Sequence, residues 1–254
     1  MGFNAGLLGI GGGAIMVPVL TSLFFAMGLP FDQVVHLALG TSMASIMITS
    51  FASMRAYHQK KAVLWTIVKA MLPGVFLGTF FAAYLVHLVN PFLITLFFAL
   101  FMLLVALQMF FIHPTHAPGK LPRSKELGVA GFTIGGLSTL VAIGGGSITV
   151  PYLTLRHVEP IKAIGTSAAL GFPISFFATM GFIIHGFDIS QLSQGLFGSI
   201  YLPAFFLITI SSYFLAPLGV RFAHKLPTYI LKRCFAILAL FLSGWMFYDV
   251  YSHW

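Results

Sequence analysis

The sequence predicts an all-α integral membrane protein made of two inverted repeats, each with one broken or re-entrant glycine-rich helix and about three full transmembrane helices. Three observations carry that prediction. Of the 254 residues, 59% are hydrophobic and only 7% are charged, against roughly 25% charged in an ordinary soluble domain. Too little polar surface exists to coat a water-soluble globule, so lipid must be the main solvent. The apolar residues fall in runs long enough to cross a bilayer, which takes about 20 residues of helix. Finally, the chain repeats itself.

From the N-terminus, the first apolar stretch covers residues 3–27 and is broken by Gly11-Gly12-Gly13. Clear crossings follow at 34–56, 64–88 and 91–112. A second interrupted stretch, 127–155, is broken by Gly144-Gly145-Gly146, and crossings at 163–184, 192–220 and 229–250 complete the chain. Three adjacent glycines give up too much backbone order to sit inside a helix. Each interrupted stretch therefore reads as two half-helices around a bend, with Pro18 and Pro151 at the same distance beyond it. The polar, proline-containing link 113–124 divides an N-terminal repeat, 1–112, from a C-terminal repeat, 125–254. The first arm of the 3–27 stretch, about ten residues, is too short to cross at 1.5 Å per residue. It is expected to re-enter from outside, or the native start lies upstream of Met1. The N-terminus has neither the basic region of a signal peptide nor a hydroxyl residue at position six for myristoylation, where Gly6 stands.

The repeat is legible residue by residue. Gly9-Ile10-Gly11-Gly12-Gly13-Ala14-Ile15-Met16-Val17-Pro18 returns 133 residues later as Ala142-Ile143-Gly144-Gly145-Gly146-Ser147-Ile148-Thr149-Val150-Pro151, and Gly40-Thr41-Ser42 returns 125 residues later as Gly165-Thr166-Ser167. Internal repeats related by pseudo-symmetry are a habit of secondary transporters.

Charge supplies the orientation. All 13 Lys and Arg fall in four windows: Arg55 to Lys69, Lys120 to Lys125, Arg156 to Lys162, and Arg221 to Arg233. The positive-inside rule places these in the cytoplasm. Equivalent loops of the two halves then lie on opposite sides: the basic Arg55–Lys61 loop matches a cation-free loop at Asp188, and the uncharged loop near Asn90 matches the basic one near Lys225. The link 113–124 is cytoplasmic on this reading, and the protein is a multi-pass component of the cell inner (plasma) membrane.

The candidate site follows from the interruptions. Glycine lets backbone approach backbone or ligand, and half-helix N-termini present open N–H donors and partial positive charge suited to an oxyanion. Gly11, Gly12, Gly13, Gly144, Gly145 and Gly146 are therefore expected to face each other near the midplane and bind substrate; the alternative is close helix packing through small residues. Thr41, Ser42, Thr166 and Ser167 are the next candidates, as hydroxyl donors to the anion or, alternatively, as side chains bonded back to their own helix carbonyls. Arg55 and His58 stand at a pathway mouth, to attract anions or merely to mark topology.

Other chemistries lack their residues. Cys234 alone excludes a disulfide framework, and the nine His form no zinc-type pair. The five acids lie near segment ends, so no intramembrane ionisable group suggests a cation pump. No nucleophile–base set is evident, so no catalytic residue, metal or cofactor is expected. The net charge of +8 sits on loops rather than on a soluble domain, so nucleic acid is not an expected partner. The expected partners are a small anionic substrate and the lipid bilayer, with a homodimer left open.

The paired I-G-G-G-x-I-x-V-P and G-T-S segments resemble those of the sulfite exporter family, TauE/SafE, and the resemblance covers nearly the whole chain. It implies a secondary transporter, an exporter of small anions such as sulfite, sulfoacetate or related organosulfonates. The competing readings are a membrane-embedded enzyme and a structural subunit without transport activity.

Overall fold

In the computed structural model, residues 2–3, 12–111, 123–186, 195–223 and 228–252 are described. They form nine helices and one small hairpin: α1 Gly13–Ala26, α2 Phe31–Gln59, α3 Trp65–Leu88, α4 Pro91–Phe111, α5 Ser124–Leu140, α6 Gly146–Leu155, α7 Pro160–His185, β1 Leu196–Phe197, β2 Ile200–Tyr201, α8 Leu202–Ala223 and α9 Thr228–Ser252. Five of these (α2, α3, α4, α7 and α8) are long and apolar enough to cross a membrane. The chain is a multi-pass all-α membrane protein. The first arm of the 3–27 stretch, Gly11 and most of the link 113–124 lie outside the described residues.

Five of the six predicted crossings begin and end within a few residues of a helix. The 192–220 crossing does not: its helix starts only at Leu202, and β1 and β2 pair antiparallel ahead of it. Hydropathy could not separate the two, because the hairpin residues are themselves apolar. Gly195 and Gly198 carry φ of +77° and +59°, and a tight turn of this kind needs glycine in the left-handed region. The second interruption also starts earlier than its glycines. α5 ends at Leu140, and Ala142 takes φ +45°. The amides of Ala142 and Ile143 then donate back to the carbonyls of Thr139 and Ser138 at 3.2 and 2.9 Å. This paired closure satisfies carbonyls that would otherwise be orphaned at a helix end.

Burial separates inner from outer helices. In the most apolar window of each helix, 78% of α2 and 61% of α7 is buried, against 28% of α8. The two inner helices pack on each other. α2 packs on α8 as α7 packs on α3, and α4 packs on α9. The outer helices expose large apolar side chains such as Leu104, Val129, Leu207 and Phe214, the expected surface for lipid.

Helices come close where glycine removes the side chain. On α3, Gly74 and Gly78 meet the backbone carbonyls of Gly128 and Phe132, and Gly131 of α5 meets the carbonyl of Met71. A Cβ at any of these would collide with backbone. Such small-residue seams are how membrane helices gain van der Waals contact without a hydrophobic driving force.

Candidate functional site

Each described glycine bend starts a helix in the same way. Gly12 is the N-cap of α1 with φ +80° and ψ −1°; Gly145 is the N-cap of α6 with φ +79° and ψ −13°. A side chain in this left-handed region costs about 1–2 kcal/mol, which explains why glycine stands at both. The two bends are brought together. A Cβ on Gly13 would strike the carbonyl of Ala142 and Ile46, so the start of α1 lies directly on the chain entering the second bend. Gly171 of α7 is seated on the carbonyl of Gly144 and beside Ser50 of α2. Gly146 opens α6 and is buried.

The second bend is lined with hydroxyls. Thr149 Oγ1 and Ser138 Oγ lie 3.5 and 3.6 Å from the point where a Cβ on Gly145 would stand. Ser138, Ser147 and Thr149 are at most 1% exposed. None of the three hydroxyls has a hydrogen-bond partner among the described residues. A buried hydroxyl left unpaired costs roughly 1–3 kcal/mol, so this grouping is costly unless a polar guest occupies it. The amides of Gly146 and Ser147 stand at the positive end of the α6 dipole, where no preceding turn supplies a carbonyl, while those of Ile148 and Thr149 already donate to the Gly145 carbonyl at 3.3 and 2.9 Å. Hydroxyls and helix-start amides together give the second bend a neutral, donor-rich lining. Sequence reasoning missed Ser138, Ser147 and Thr149 as candidates. The signal was present where the repeat departs from itself: Ser147 and Thr149 stand opposite Ala14 and Met16.

The threonines of the G-T-S segments have a role that neither expectation included. Thr41 Oγ1 accepts the amide of Tyr201 at 2.9 Å, and Thr166 Oγ1 accepts the amide of Leu64 at 3.0 Å. Beside them, Gly40 makes room for the carbonyl of Ser199, and Gly165 for that of Ala62. Each motif thus clamps a connecting segment of the opposite half: glycine admits a carbonyl, and threonine holds the amide two residues further on. The contacts are reciprocal, half one gripping half two and the reverse. Gly2 on the carbonyl of Ser212 and Gly135 beside that of Val75 repeat the same exchange. With the oxygen of each Thr engaged, its O–H remains as a donor. Ser42 is fully buried and without a partner among the described residues, whereas Ser167 is buried and hydrogen-bonded or otherwise in contact.

The charged residues gather at helix ends. Arg156, just beyond α6, reaches Glu126 in the first turn of α5 at 3.8 Å, so the α5–bend–α6 unit returns to the end from which it started. Lys162 pairs with Glu159 at 3.1 Å. Arg55 and Gln59 of α2 line a cavity of about 300 Å³ with Tyr213, Phe214 and Pro217 of α8. His58 accepts a hydrogen bond from the Trp65 indole at 3.0 Å.

Residues 1–246 match the family described as "Sulfite exporter TauE/SafE". A "Probable membrane transporter protein" of Haemophilus influenzae is 32% identical over 247 residues, covering 97% of this chain and 94% of that protein. The "Probable membrane transporter protein YunE" of Bacillus subtilis is 30% identical over 71% of this chain and 73% of its own length. The "Probable membrane transporter protein MJ0441" of Methanocaldococcus jannaschii is 26% identical over 95% of this chain and 91% of its own. No solved structure matches the chain.

Proposed function

The chain belongs to the sulfite exporter TauE/SafE family, and from that membership we propose that it is a secondary exporter of small oxyanions, with sulfite, sulfoacetate and related organosulfonates as its substrate class. The family and the relatives are membrane transporters by name, not enzymes. One observation carries the finer reading: buried, unpartnered Ser138 and Thr149 hydroxyls converge on Gly145 at the start of α6. Donors without a buried cation suit a singly or doubly charged oxyanion that must also leave. Each hydrogen bond to a charged group contributes about 1.5–3 kcal/mol, so several acting together hold an anion without trapping it. The amides after Gly145, with Ser138, Ser147 and Thr149, make the direct contacts in this proposal. The bend at Gly11, Gly12 and Gly13 closes the pathway from the other half, with Ser42 as a further donor. Thr41 and Thr166 hold the connecting segments that frame it.

The decisive measurement is anion flux in proteoliposomes, compared for sulfite, sulfoacetate, sulfate and chloride. Flux of sulfite or sulfoacetate above the others is expected; flux of none sinks the transport reading.

The arrangement proposed in the membrane is an inverted repeat in the cell inner membrane. It is supported by the confinement of Lys and Arg to four windows and by the reciprocal clamps. On it, Lys60 and Lys125 face the cytoplasm while Asn90 and Trp254 face the periplasm. Single cysteines at these positions, in a Cys234-free background, are to be labelled with a membrane-impermeant thiol reagent. Strong labelling from outside at position 125 would overturn the inversion.

A further inference from the structure

Away from the glycine bends, three imidazoles stand in a row where α2 begins and where α3 and α7 end. The ring centroids of His36 and His87 are 5.1 Å apart, and those of His87 and His185 are 5.3 Å apart. Each ring is tethered to a helix carbonyl: His36 Nε2 to Val86 at 3.1 Å, His87 Nδ1 to Ala83 at 2.9 Å, and His185 Nδ1 to Gly181 at 2.8 Å. A carbonyl only accepts, so each tethering nitrogen carries a hydrogen. In neutral His87 the other nitrogen is then a lone pair, and the Ser199 hydroxyl donates to it across 3.4 Å. Protonation reverses that bond. Nε2–H becomes the donor, Ser199 Oγ the acceptor, and the Ser199 hydrogen is released for another acceptor. The row thus gains positive charge and a free O–H in one step, the two things that bind an anion.

The Lys and Arg of these three helices lie toward their opposite ends: Arg55 on α2, Lys69 on α3 and Lys162 on α7. Facing the row are Tyr84, whose ring is 5.4 Å from His185, and Phe182, whose ring is 5.7 Å from His87. Tyr201 follows two residues after Ser199, its ring packed on Phe24. Asp32 lies one turn before His36 and Asp188 three residues after His185, both with side chains outside the described residues. α1 and α4 carry no titratable side chain, and Tyr213 and Arg221 of α8 sit in its far half. Among the described residues the rings belong to no group that could hold a metal ion. The row is exposed at His185, and it reaches inward through Ser199, whose carbonyl lies on Gly40 in the clamp that Thr41 closes on Tyr201.

We propose that His36, His87 and His185, with Ser199, form a second anion site, charged by a proton, at the end of the bundle opposite the basic loops. Its ligand is a small oxyanion, loaded or released there with a proton. This rests on the anion-transport reading above, and the test separates the two. Binding of methanesulfonate, whose charge is constant across the range, is measured by calorimetry on the full chain in nanodiscs at about pH 8 and about pH 5. Wild-type binding tightens at least about fivefold at the lower pH and takes up protons. His87→Gln and His185→Gln each bring the ratio of the two affinities close to one. His157→Gln, in the turn between α6 and α7 at the other end of the bundle, keeps the wild-type ratio. Because His185 is exposed, its variant keeps the test open should His87→Gln fail to fold. A wild-type affinity independent of pH overturns the proposal, as does a full pH ratio in either variant; neither result touches the transport reading. Proton-linked binding in a protein that carries no anion across proteoliposomes supports the site and removes the transport reading alone.

Discussion

At the glycine that caps the following helix the two bends share nearly the same backbone angles, and the turns that follow present different side chains. At Gly12 the following turn presents Ala14 and Met16, both buried. At Gly145 the same positions present Ser147 and Thr149, with Ser138 added from α5. A duplicated bend has therefore kept its geometry in both halves and its polarity in one. The capping angle common to both is what the fold requires; the hydroxyls of Ser147 and Thr149 are not, since α1 starts in the same way with Ala14 and Met16 in their places. That difference separates architecture from chemistry within a single chain, and each half serves as the control for the other.

The largest effect expected from breaking this asymmetry is at the bend itself. Gly145→Leu places a side chain between Ser138 and Thr149, so two hydroxyl contacts are lost. At about 1.5–3 kcal/mol each toward an anion, anion affinity falls by on the order of 100-fold or more. Gly12→Leu carries the same backbone strain but is followed by Ala14 and Met16 rather than by hydroxyls, so its loss appears in folded yield more than in affinity. Concentration-dependent uptake, normalised to inserted protein, decides this; equal affinity losses in the two variants would erase the asymmetry.

A gentler exchange swaps the linings. Thr149→Met copies the first bend into the second and removes one hydroxyl, which raises the half-saturating anion concentration about tenfold. Met16→Thr performs the reverse swap and leaves that concentration nearly unchanged, because no other hydroxyl of the second bend moves with it. A Met16→Thr effect as large as that of Thr149→Met would show that both bends touch the anion.

The smallest expected effect concerns what the halves share. Thr41→Val and Thr166→Val each orphan one loop amide, at a cost of about 1–3 kcal/mol of stability. Thermal unfolding in detergent is expected to fall by a similar amount for both. A loss confined to one variant would mean that the clamps, though alike in geometry, do not carry equal weight.

Much of this was legible in the sequence, and its limits have physical reasons. Long apolar runs located α2, α3, α4 and α7 because lipid allows a helix little polar interruption. The glycine triplets located both bends because three glycines in a row resist helix. The hairpin before α8 escaped hydropathy, which counts apolar residues without regard to their backbone angles. The threonine clamps escaped because they join residues 160 and 102 positions apart, and a motif shows only its own neighbourhood. The lining of the second bend was hidden for a different reason. Matching repeats draws attention to identities, and Ser147 and Thr149 carry their meaning by differing from Ala14 and Met16.

The reciprocal clamps also set an order in time. Thr41 waits for a hairpin 160 residues downstream, and at about 5–20 residues per second of synthesis that wait lasts roughly 8–32 s. Until then the first half sits in the bilayer with its central helix ungripped and the pocket for Ser199 beside Gly40 vacant. Neither half can finish alone, so a chain truncated after the first repeat would be inserted yet unfinished, an early substrate for membrane proteolysis rather than half a transporter.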